Sequence, residues 1–242
     1  MINFFRKIRR KLADDNKPLK YMRYALGEIV LVVIGILIAL QINNWNEDNK
    51  LHKRELTLLS ELSSNLKINI KNLEQDIKLQ TKSIKSFKYI LSLPNNKRPY
   101  NDSIPSYLYD IDYCPDVILV SSAFHTLKSS GLEIIQSDNL RIAMVNLFEV
   151  DYPILMQETR RLEDQLWPAV VVPLFQKHLR NDNDRWIPND YDNWLKDTEF
   201  FNMVSLRATL RNSSTSFKKK AVKQTKDVLL LIEEEVKKRK KN

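Results

Sequence analysis

IVLVVIGILIAL, residues 29–40, is the stretch that decides the class of this chain, because it contains no polar side chain. Extended to Ala25–Ile42 it reads ALGEIVLVVIGILIALQI, an 18-residue run that is interrupted only by Glu28 and Gln41. An α-helix of this length spans about 27 Å, close to the hydrocarbon thickness of a bilayer. Residues 25–42 are therefore predicted to form a transmembrane helix.

Aromatic residues flank this run on both sides. A buried core helix of a soluble protein is the alternative, but such a helix usually keeps a polar stripe. This run is apolar all round, with Tyr21 and Tyr24 before it and Trp45 after it. Tyr and Trp are enriched where a membrane span meets water. We expect these three residues to be interfacial anchors.

The same run has the features of an uncleaved signal-anchor. Signal peptidase needs small residues in an A-x-A pattern, whereas the run ends Ala39-Leu40-Gln41-Ile42-Asn43. Basic residues crowd the N-terminal flank, and the other flank mixes both signs of charge. By the positive-inside rule, residues 1–24 are predicted to be cytoplasmic and residues 43–242 to lie outside the cytoplasm.

Residues 1–24 are predicted to be a basic amphipathic arm. Apolar side chains share one helical face, and the basic side chains on the other faces suit an anionic lipid surface. The predicted lipid-facing basic residues are Arg6, Lys7, Arg9, Arg10 and Lys11. The chain carries a formal charge of +9, but this charge lies in the arm and in the run 237–241. Because the middle is slightly acidic, we expect no nucleic-acid partner.

One face of the predicted span carries Gly27, Glu28, Gly35 and Ala39. Small residues four apart let two membrane helices approach closely, and buried polar groups can bond between helices. This face is our candidate site for self-association or for docking on another membrane helix. The alternative remains open that small residues are simply common in spans and that Glu28 snorkels to the interface.

The outer region is predicted to be an all-α bundle with long first and last helices. Neither Gly nor Pro occurs between Ile36 and Leu93, so the span continues into a long helix over about 47–93. Its apolar residues fit an eleven-residue repeat better than strict heptads. Shorter helices are expected over about 117–210, and a final helix over about 214–238.

A loop rich in Asp and Asn is predicted over Arg180–Trp194. Its large aromatic residues are Trp186, Tyr191 and Trp194. They form a possible partner surface, because such side chains concentrate at binding hot spots. The other interpretation is that they plug the end of the bundle.

The chain offers little chemistry. His52, His125 and His178 do not pair at metal spacing, and Cys114 is the only cysteine. Asp110, Asp112 and Asp116 lack the glycine and the terminal glutamate of an EF-hand loop. A longer acidic loop contains Asp182, Asp184, Asp190 and Asp192. We therefore expect no catalytic residues, no metal and no cofactor, and the sequence identifies no small-molecule substrate.

Four segments carry a resemblance to a known family: INFFRKIRRKL (2–12), YALGEIVLVVIGILIALQINNWNE (24–47), FHTLKSSGLEIIQSDNL (124–140) and DTEFFNMVSLR (197–207). The chain resembles an uncharacterised domain-of-unknown-function family of single-pass membrane proteins from flavobacteria and related Bacteroidota. The resemblance implies a bacterial inner-membrane protein with a periplasmic helical domain. It brings no known activity and no catalytic residues.

Taken together, these features favour a membrane-anchored, non-enzymatic interaction or scaffold protein. Its predicted partners are the lipid bilayer and either a second copy or another membrane protein. A periplasmic sensory or solute-binding bundle that acts through a partner is the alternative, and a membrane-bound hydrolase is a remote one.

Overall fold

The computed structural model describes Lys7 and residues 18–96 and 98–240, without the side chains of residues 18–21 and Tyr24. The chain divides into two compact units, Met1–Arg54 and Glu55–Asn242. Four of the predicted lipid-facing residues, Arg6, Arg9, Arg10 and Lys11, lie outside the described residues. The fifth, Lys7, is exposed. The side chains of the predicted anchors Tyr21 and Tyr24 are likewise outside the description.

The first unit contains the beginning of helix α1, which is assigned over Pro18–Asn96. Among the described residues, one helix is long and apolar enough to cross a membrane, and that helix is α1. Its most apolar window has a mean hydropathy of 2.6, and none of that window is buried. The core helix of a soluble domain would instead bury one side of such a run.

The second unit is almost entirely helical, as the all-α prediction requires. It contains residues 55–96 of α1 and then α2 (Ile104–Asp112), α3 (Ser122–Ser130), α4 (Asp138–Asn146), α5 (Tyr152–Leu166), α6 (Val172–His178), α7 (Tyr191–Trp194) and α8 (Thr198–Arg239). Short 3₁₀ and π turns lie at Leu132–Ile134, Leu147–Asp151 and Trp167–Val171.

Residues 55–96 of α1 and all of α8 run antiparallel, because Glu55 pairs with Arg239 and Gln80 bonds to Thr215. The buried residues of both helices recur in alternating steps of four and three, which is a heptad pattern. We call these two rows the seam. In α1 it comprises Glu55, Leu59, Leu62, Leu66, Asn69, Leu73, Asp76, Gln80, Ser83, Phe87 and Ile90. In α8 it comprises Phe200, Val204, Arg207, Arg211, Ser214, Lys218, Ala221, Thr225, Val228, Ile232 and Glu235.

The predicted eleven-residue repeat is therefore wrong. It was based on apolar residues alone, and it skipped buried polar ones such as Asn69, Asp76 and Gln80. It included Ile77 and Ile84 instead, which are only partly buried. A pattern of hydrophobicity cannot find a seam in which consecutive buried positions are polar.

The final helix begins at Thr198 rather than near residue 214. The Asp197 side chain accepts a hydrogen bond from the Phe200 amide and so caps its first turn. Residues 207–218 are mostly polar in sequence, although Arg207, Arg211 and Lys218 are all buried. Hydrophobic periodicity therefore predicted the final helix only from about residue 214, near the point where apolar residues return to the seam.

Apolar clusters flank the polar part of the seam on either side. One contains Phe87, Ile90 and Leu93 of α1 with α2, α6 and the start of α8. The other two join Leu58–Leu66 and Leu73 of α1 to α3, α4, α5 and the end of α8. The fold thus buries charge between two apolar regions of the same unit.

Part of the predicted loop Arg180–Trp194 forms an antiparallel hairpin. Its strands are β1 (Leu179–Asp182) and β2 (Arg185–Pro188), with Leu179 opposite Pro188. Asn183 and Asp184 form the two-residue turn, and both have positive φ, 51° and 60°. Asn and Asp tolerate this conformation better than most residues, which makes them suitable for the tight turn.

Candidate functional site

The predicted membrane face lies on one exposed segment of α1. Apart from the nearby backbone of α1 itself and the adjacent residues, no described atom lies within 4 Å of a Cβ built on Gly27 or on Gly35, so both positions border open space. Ala39 is exposed and Glu28 is partly buried. Trp45, the described member of the predicted aromatic anchors, is 67% exposed.

Of the three aromatic residues predicted as a possible partner surface, Trp194 is unsuitable. It is fully buried, and its ring packs against Phe200 and Phe201 with centroids 5.4 and 5.5 Å away. Trp186 and Tyr191 are partly buried. Burial in an aromatic cluster stabilises the bundle end, which is the plug interpretation of this segment.

A cleft of about 420 Å³ opens beside the polar part of the seam. One wall is the end of α2 and the segment that follows it, and the other is the last turns of α5 with the adjoining π turn. The cleft is lined by Asp112, Tyr113, Cys114, Pro115, Arg160, Glu163, Asp164 and Trp167.

The cleft backs onto two buried arginines of α8. Arg207 donates to Glu163 Oε1 from Nε at 3.0 Å and also from Nη2. Arg211 Nη2 lies 3.8 Å from the same oxygen, too far for a hydrogen bond. Neither terminal nitrogen of Arg211 has a hydrogen-bond partner among the described residues. The Glu163 carboxylate is therefore the nearest counter-charge for two buried guanidinium groups, and it forms hydrogen bonds only with Arg207.

Asp112, the last residue of α2, is the most unusual carboxyl group in the cleft. Its Oδ2 accepts a hydrogen bond of 2.8 Å from Trp186 Nε1 on β2. Its Oδ1 is buried and has no hydrogen-bond partner in the described chain. Burial raises the pKa of this carboxyl above its ordinary value, against the opposing effects of the Trp186 bond and the Arg207 charge.

The remaining charges at the cleft pair with one another. The Arg160 side chain bridges Asp116, with Nε 2.8 Å from Oδ1, and Asp164. Trp167 lies in the π turn Trp167–Val171, where the Val172 N–H bonds to the Trp167 carbonyl five residues back. Pro173 cannot donate a backbone hydrogen bond, and its ring would clash with a regular helical turn, which accounts for the local widening. The Trp167 ring faces the Arg207 guanidinium at 5.4 Å.

Residues 28–213 match the model of a family of unknown function. The matched part covers most of the chain, from within the apolar run to the middle of α8. The chain belongs to the DUF6090 family. No curated protein and no solved structure matches it.

Membership in DUF6090 confirms that the chain is part of an uncharacterised domain family. The matched region includes every residue that lines the cleft. It also includes Gly35 and Ala39 of the predicted membrane face. The family description carries no activity, so the function has to be argued from the two sites themselves.

Sequence reasoning missed the cleft of this DUF6090 protein. Asp112 was considered only as part of an acidic turn, and Glu163, Arg207 and Arg211 were not singled out. Across the described residues, no three His, Cys, Asp or Glu side chains converge as a metal site would require. Cys114 also lines the cleft. One signal in the sequence could have identified these arginines as buried. Arg207 and Arg211 occupy heptad positions in line with the apolar residues of the seam.

Proposed function

We propose that this DUF6090 protein is a membrane-anchored, non-enzymatic interaction module that assembles through its apolar helix with a second copy or another membrane protein. The observation that carries the proposal is the apolar window of α1, none of which is buried in the chain itself. Such a surface needs a bilayer or a partner to cover it.

The proposed location is the bacterial inner membrane, with a single pass. By the positive-inside rule, the basic residues before the span support a cytoplasmic N-terminus, and the proposed periplasmic domain is then residues 43–242. An impermeant maleimide tests this topology in spheroplasts that carry a Cys114→Ser background. We expect Asp102→Cys to be labelled and Lys7→Cys to be protected, and the reverse result would overturn the orientation.

The proposed contact surface within the membrane is Gly27, Glu28, Gly35 and Ala39. Small residues allow two helix backbones to approach closely, which increases their van der Waals contact. This contact matters in a bilayer because the hydrophobic effect does not drive helices together there. Space around both glycines is open, so the chain itself does not fill this face. Glu28 adds a polar group that a neighbouring helix is able to bond.

Amine-reactive crosslinking in native membranes tests the assembly. We expect wild-type protein to give a crosslinked product and Gly35→Leu to lose most of it, because the larger side chain separates the helices. Val33→Leu adds bulk on the opposite face and is expected to keep the product. Equal crosslinking by Gly35→Leu would overturn the contact surface, and a purely monomeric wild type would overturn assembly.

The cleft of the second unit favours a second candidate function, a sensory or solute-binding bundle that acts through a partner. Its volume of about 420 Å³ lies within the range of small-molecule sites, and aromatic side chains line it beside charged ones. A solute that raises the melting temperature of wild type but not of a cleft variant supports this function. The absence of any such solute would count against it.

A further inference from the structure

Helices α1 and α8 lie side by side, and the shorter helices cover one flank of this pair. On that flank the Asn65 side chain accepts a hydrogen bond of 3.0 Å from the Ala123 amide of α3, and Lys82 donates to Asp110 of α2 at 2.8 Å. By the heptad spacing of the seam, Asn65 and Ile70 lie on opposite flanks of α1. We call the flank of Ile70 the open flank, because its side chains from residue 60 to residue 88 form no hydrogen bond or ion pair with α2–α7 in the described chain.

Two ion pairs join α1 to α8 on the open flank. Lys67 Nζ lies 3.0 Å from Glu233 Oε1, and Lys226 Nζ lies 2.6 Å from Glu74 Oε1. All four side chains are about half exposed. A carboxylate on this flank is therefore within reach of a lysine from the neighbouring helix.

Apolar side chains form the floor of the open flank. Ile70, Ile77 and Ile84 recur every seven residues on α1, and Val222 and Leu229 have the same spacing on α8. All five are partly buried, whereas the side chains on either side of this floor are exposed. None of the three apolar clusters of the described chain includes the three isoleucines. An apolar row beside the seam is typical of a helix that packs against a further helix.

Lysines dominate the two exposed rims of this floor, which follow the same steps of four and three as the seam. The rim of α1 spans about 31 Å and comprises Lys67, Lys71, Glu74, Lys78, Thr81, Lys85 and Lys88. The rim of α8 comprises Lys219, Lys223, Lys226, Leu230 and Glu233. Both glutamates are paired, and six rim lysines form no ion pair in the described chain: Lys71, Lys78, Lys85, Lys88, Lys219 and Lys223. The fold thus gathers positive charge on one flank, although the middle of the chain is slightly acidic.

The shape and composition of the open flank favour one kind of partner. A flat lipid surface reaches the exposed rims but not the recessed floor. Nucleic acid is usually held by arginines and stacked aromatic rings, and the rims contain neither. A rod with an apolar stripe and carboxylates on both sides matches floor and rims together, which is the form of an acidic amphipathic helix. The exposed charges of α5 have both signs, as at Glu158 and Arg161, so this helix of a second copy offers no matching acidic stripe.

We propose that the open flank binds an acidic amphipathic helix of a partner protein, whose apolar stripe lies on Ile77 and Ile84 and whose carboxylates pair with the unpaired rim lysines. Glu74 and Glu233 make the same kind of pair within the chain itself. Charge complementarity of this kind steers encounter and selects the partner. The inference rests on the proposed interaction function, and it adds a contact surface in the second unit with a stated partner chemistry.

Three synthetic peptides of three heptads each test the chemistry of the partner. The Leu/Glu peptide has Leu at positions a and d, Glu at b, e and g, and Ala at c and f; the second peptide has Lys for Glu, and the third has Ser for Leu. Fluorescence anisotropy of the labelled peptides is measured with the full chain in zwitterionic nanodiscs. We expect saturable binding of the Leu/Glu peptide and affinity at least about tenfold weaker for the other two. No saturable binding of the Leu/Glu peptide, or equal affinity for either of the others, would overturn the proposal.

Lys78→Glu combined with Lys85→Glu tests the rims. Lys196→Glu combined with Lys238→Glu is the control, because it makes the same charge change at exposed lysines elsewhere in the second unit. We expect the rim variant to bind the Leu/Glu peptide at least about tenfold more weakly and the control to bind it as wild type does. The lysine peptide is expected to bind the rim variant more tightly than wild type, a gain that a folding defect cannot produce. Equal affinity of the rim variant and the control would overturn the role of these lysines.

Competitors separate the helical partner from other anions. Tighter binding of oligothymidylate than of the Leu/Glu peptide, or displacement of the peptide by vesicles that contain phosphatidylglycerol, would overturn the helix in favour of nucleic acid or lipid. Crosslinking of wild type and Gly35→Leu reports on the span alone. Intact crosslinking without peptide binding would overturn only this inference, and peptide binding without crosslinking would overturn only assembly through the span. The loss of both would overturn the interaction function as well.

Discussion

Lys218 Nζ lies 2.6 Å from Asp76 Oδ2, and both side chains are almost fully buried in the seam between α1 and α8. Gln80 Nε2 donates to the same oxygen at 2.9 Å. The two charges thus lie at the centre of the second unit, between its apolar clusters. Removing water from two charges is costly, and the close pairing with its added hydrogen bond offsets that cost.

Lys218→Met is expected to destabilise the second unit by about 3–5 kcal/mol, because it leaves the Asp76 carboxylate buried without its cation. Chemical unfolding of the full chain in nanodiscs measures this loss. Lys226→Met is the matched control, since Lys226 and Glu74 pair at 2.6 Å with about half of each side chain exposed. The control is expected to cost no more than about 1 kcal/mol. Equal losses in the two variants would contradict this account.

Arg207 and Arg211 are expected to respond differently to the same substitution. Arg207→Met removes a guanidinium that bonds Glu163, and we expect a loss of about 3–5 kcal/mol. Arg211→Met removes a buried guanidinium whose two terminal nitrogens have no hydrogen-bond partner among the described residues, and we expect a change of less than about 1 kcal/mol in either direction. Unfolding measurements on both variants provide the comparison. A larger loss for Arg211→Met would show that Arg211 has the more important electrostatic role.

The contribution of Asp197 to the stability of the second unit is expected to depend on pH. The Lys177 ammonium, 2.8 Å away, and the Phe200 amide hold the pKa of this carboxyl well below its ordinary value of 3.8. A lowered pKa means that the contribution is complete above about pH 4 and is lost progressively as the pH falls below it. Asp197→Asn is therefore expected to be less stable than wild type at pH 7, with the difference shrinking toward pH 2.

Thermal melting at several pH values checks this expectation. Asp190→Asn is the control, because Asp190 caps α7 through the Asn193 amide and forms no ion pair in the described chain. Asparagine is as good a helix cap as aspartate. The control should therefore stay close to wild type at every pH. A difference for Asp197→Asn that is constant from pH 7 to pH 2 would contradict the ion-pair explanation.

Gly131 is expected to be sensitive to substitution because of its backbone conformation. It ends α3 with φ at +102°, where residues with a Cβ are strained, whereas the nearest atoms to an added Cβ belong to the flexible end of Glu133, which can move away. We expect Gly131→Ala to cost about 1–3 kcal/mol in chemical unfolding. Gly35→Ala makes the same change where space is open and is expected to leave bundle stability unchanged. The expectation fails if the two variants unfold alike.

The end of α3 is a part of the fold that was predictable from the sequence. Serine residues such as Ser121 and Ser122 are common at helix starts and glycine is common just after helix ends, and α3 runs from Ser122 to Ser130 with Gly131 after it. Such signals are local, since a cap or a left-handed stop depends on a few neighbouring residues. The apolar run of α1 was predictable for the same reason.

The candidate cleft was not predictable in this way. Asp112 and Trp186 are 74 residues apart, and Glu163 and Arg207 are 44 apart. Arg207 is an ordinary charged residue in the sequence, and only its partner on α5 makes its burial possible. The hairpin that presents Trp186 also escaped prediction, because the Asn183-Asp184 turn lies in a stretch with the composition of a loop.

By itself, the sequence determined an all-α chain with one helix apolar and long enough to cross a membrane. Helical propensity and hydropathy act over a few turns, so they can be counted directly along the chain. The tertiary structure alone decided that the second unit has a heptad seam with buried charges at its centre and a cleft that ends at Asp112. A charged residue is buried only when a partner reaches it, and the partners here come from distant parts of the chain.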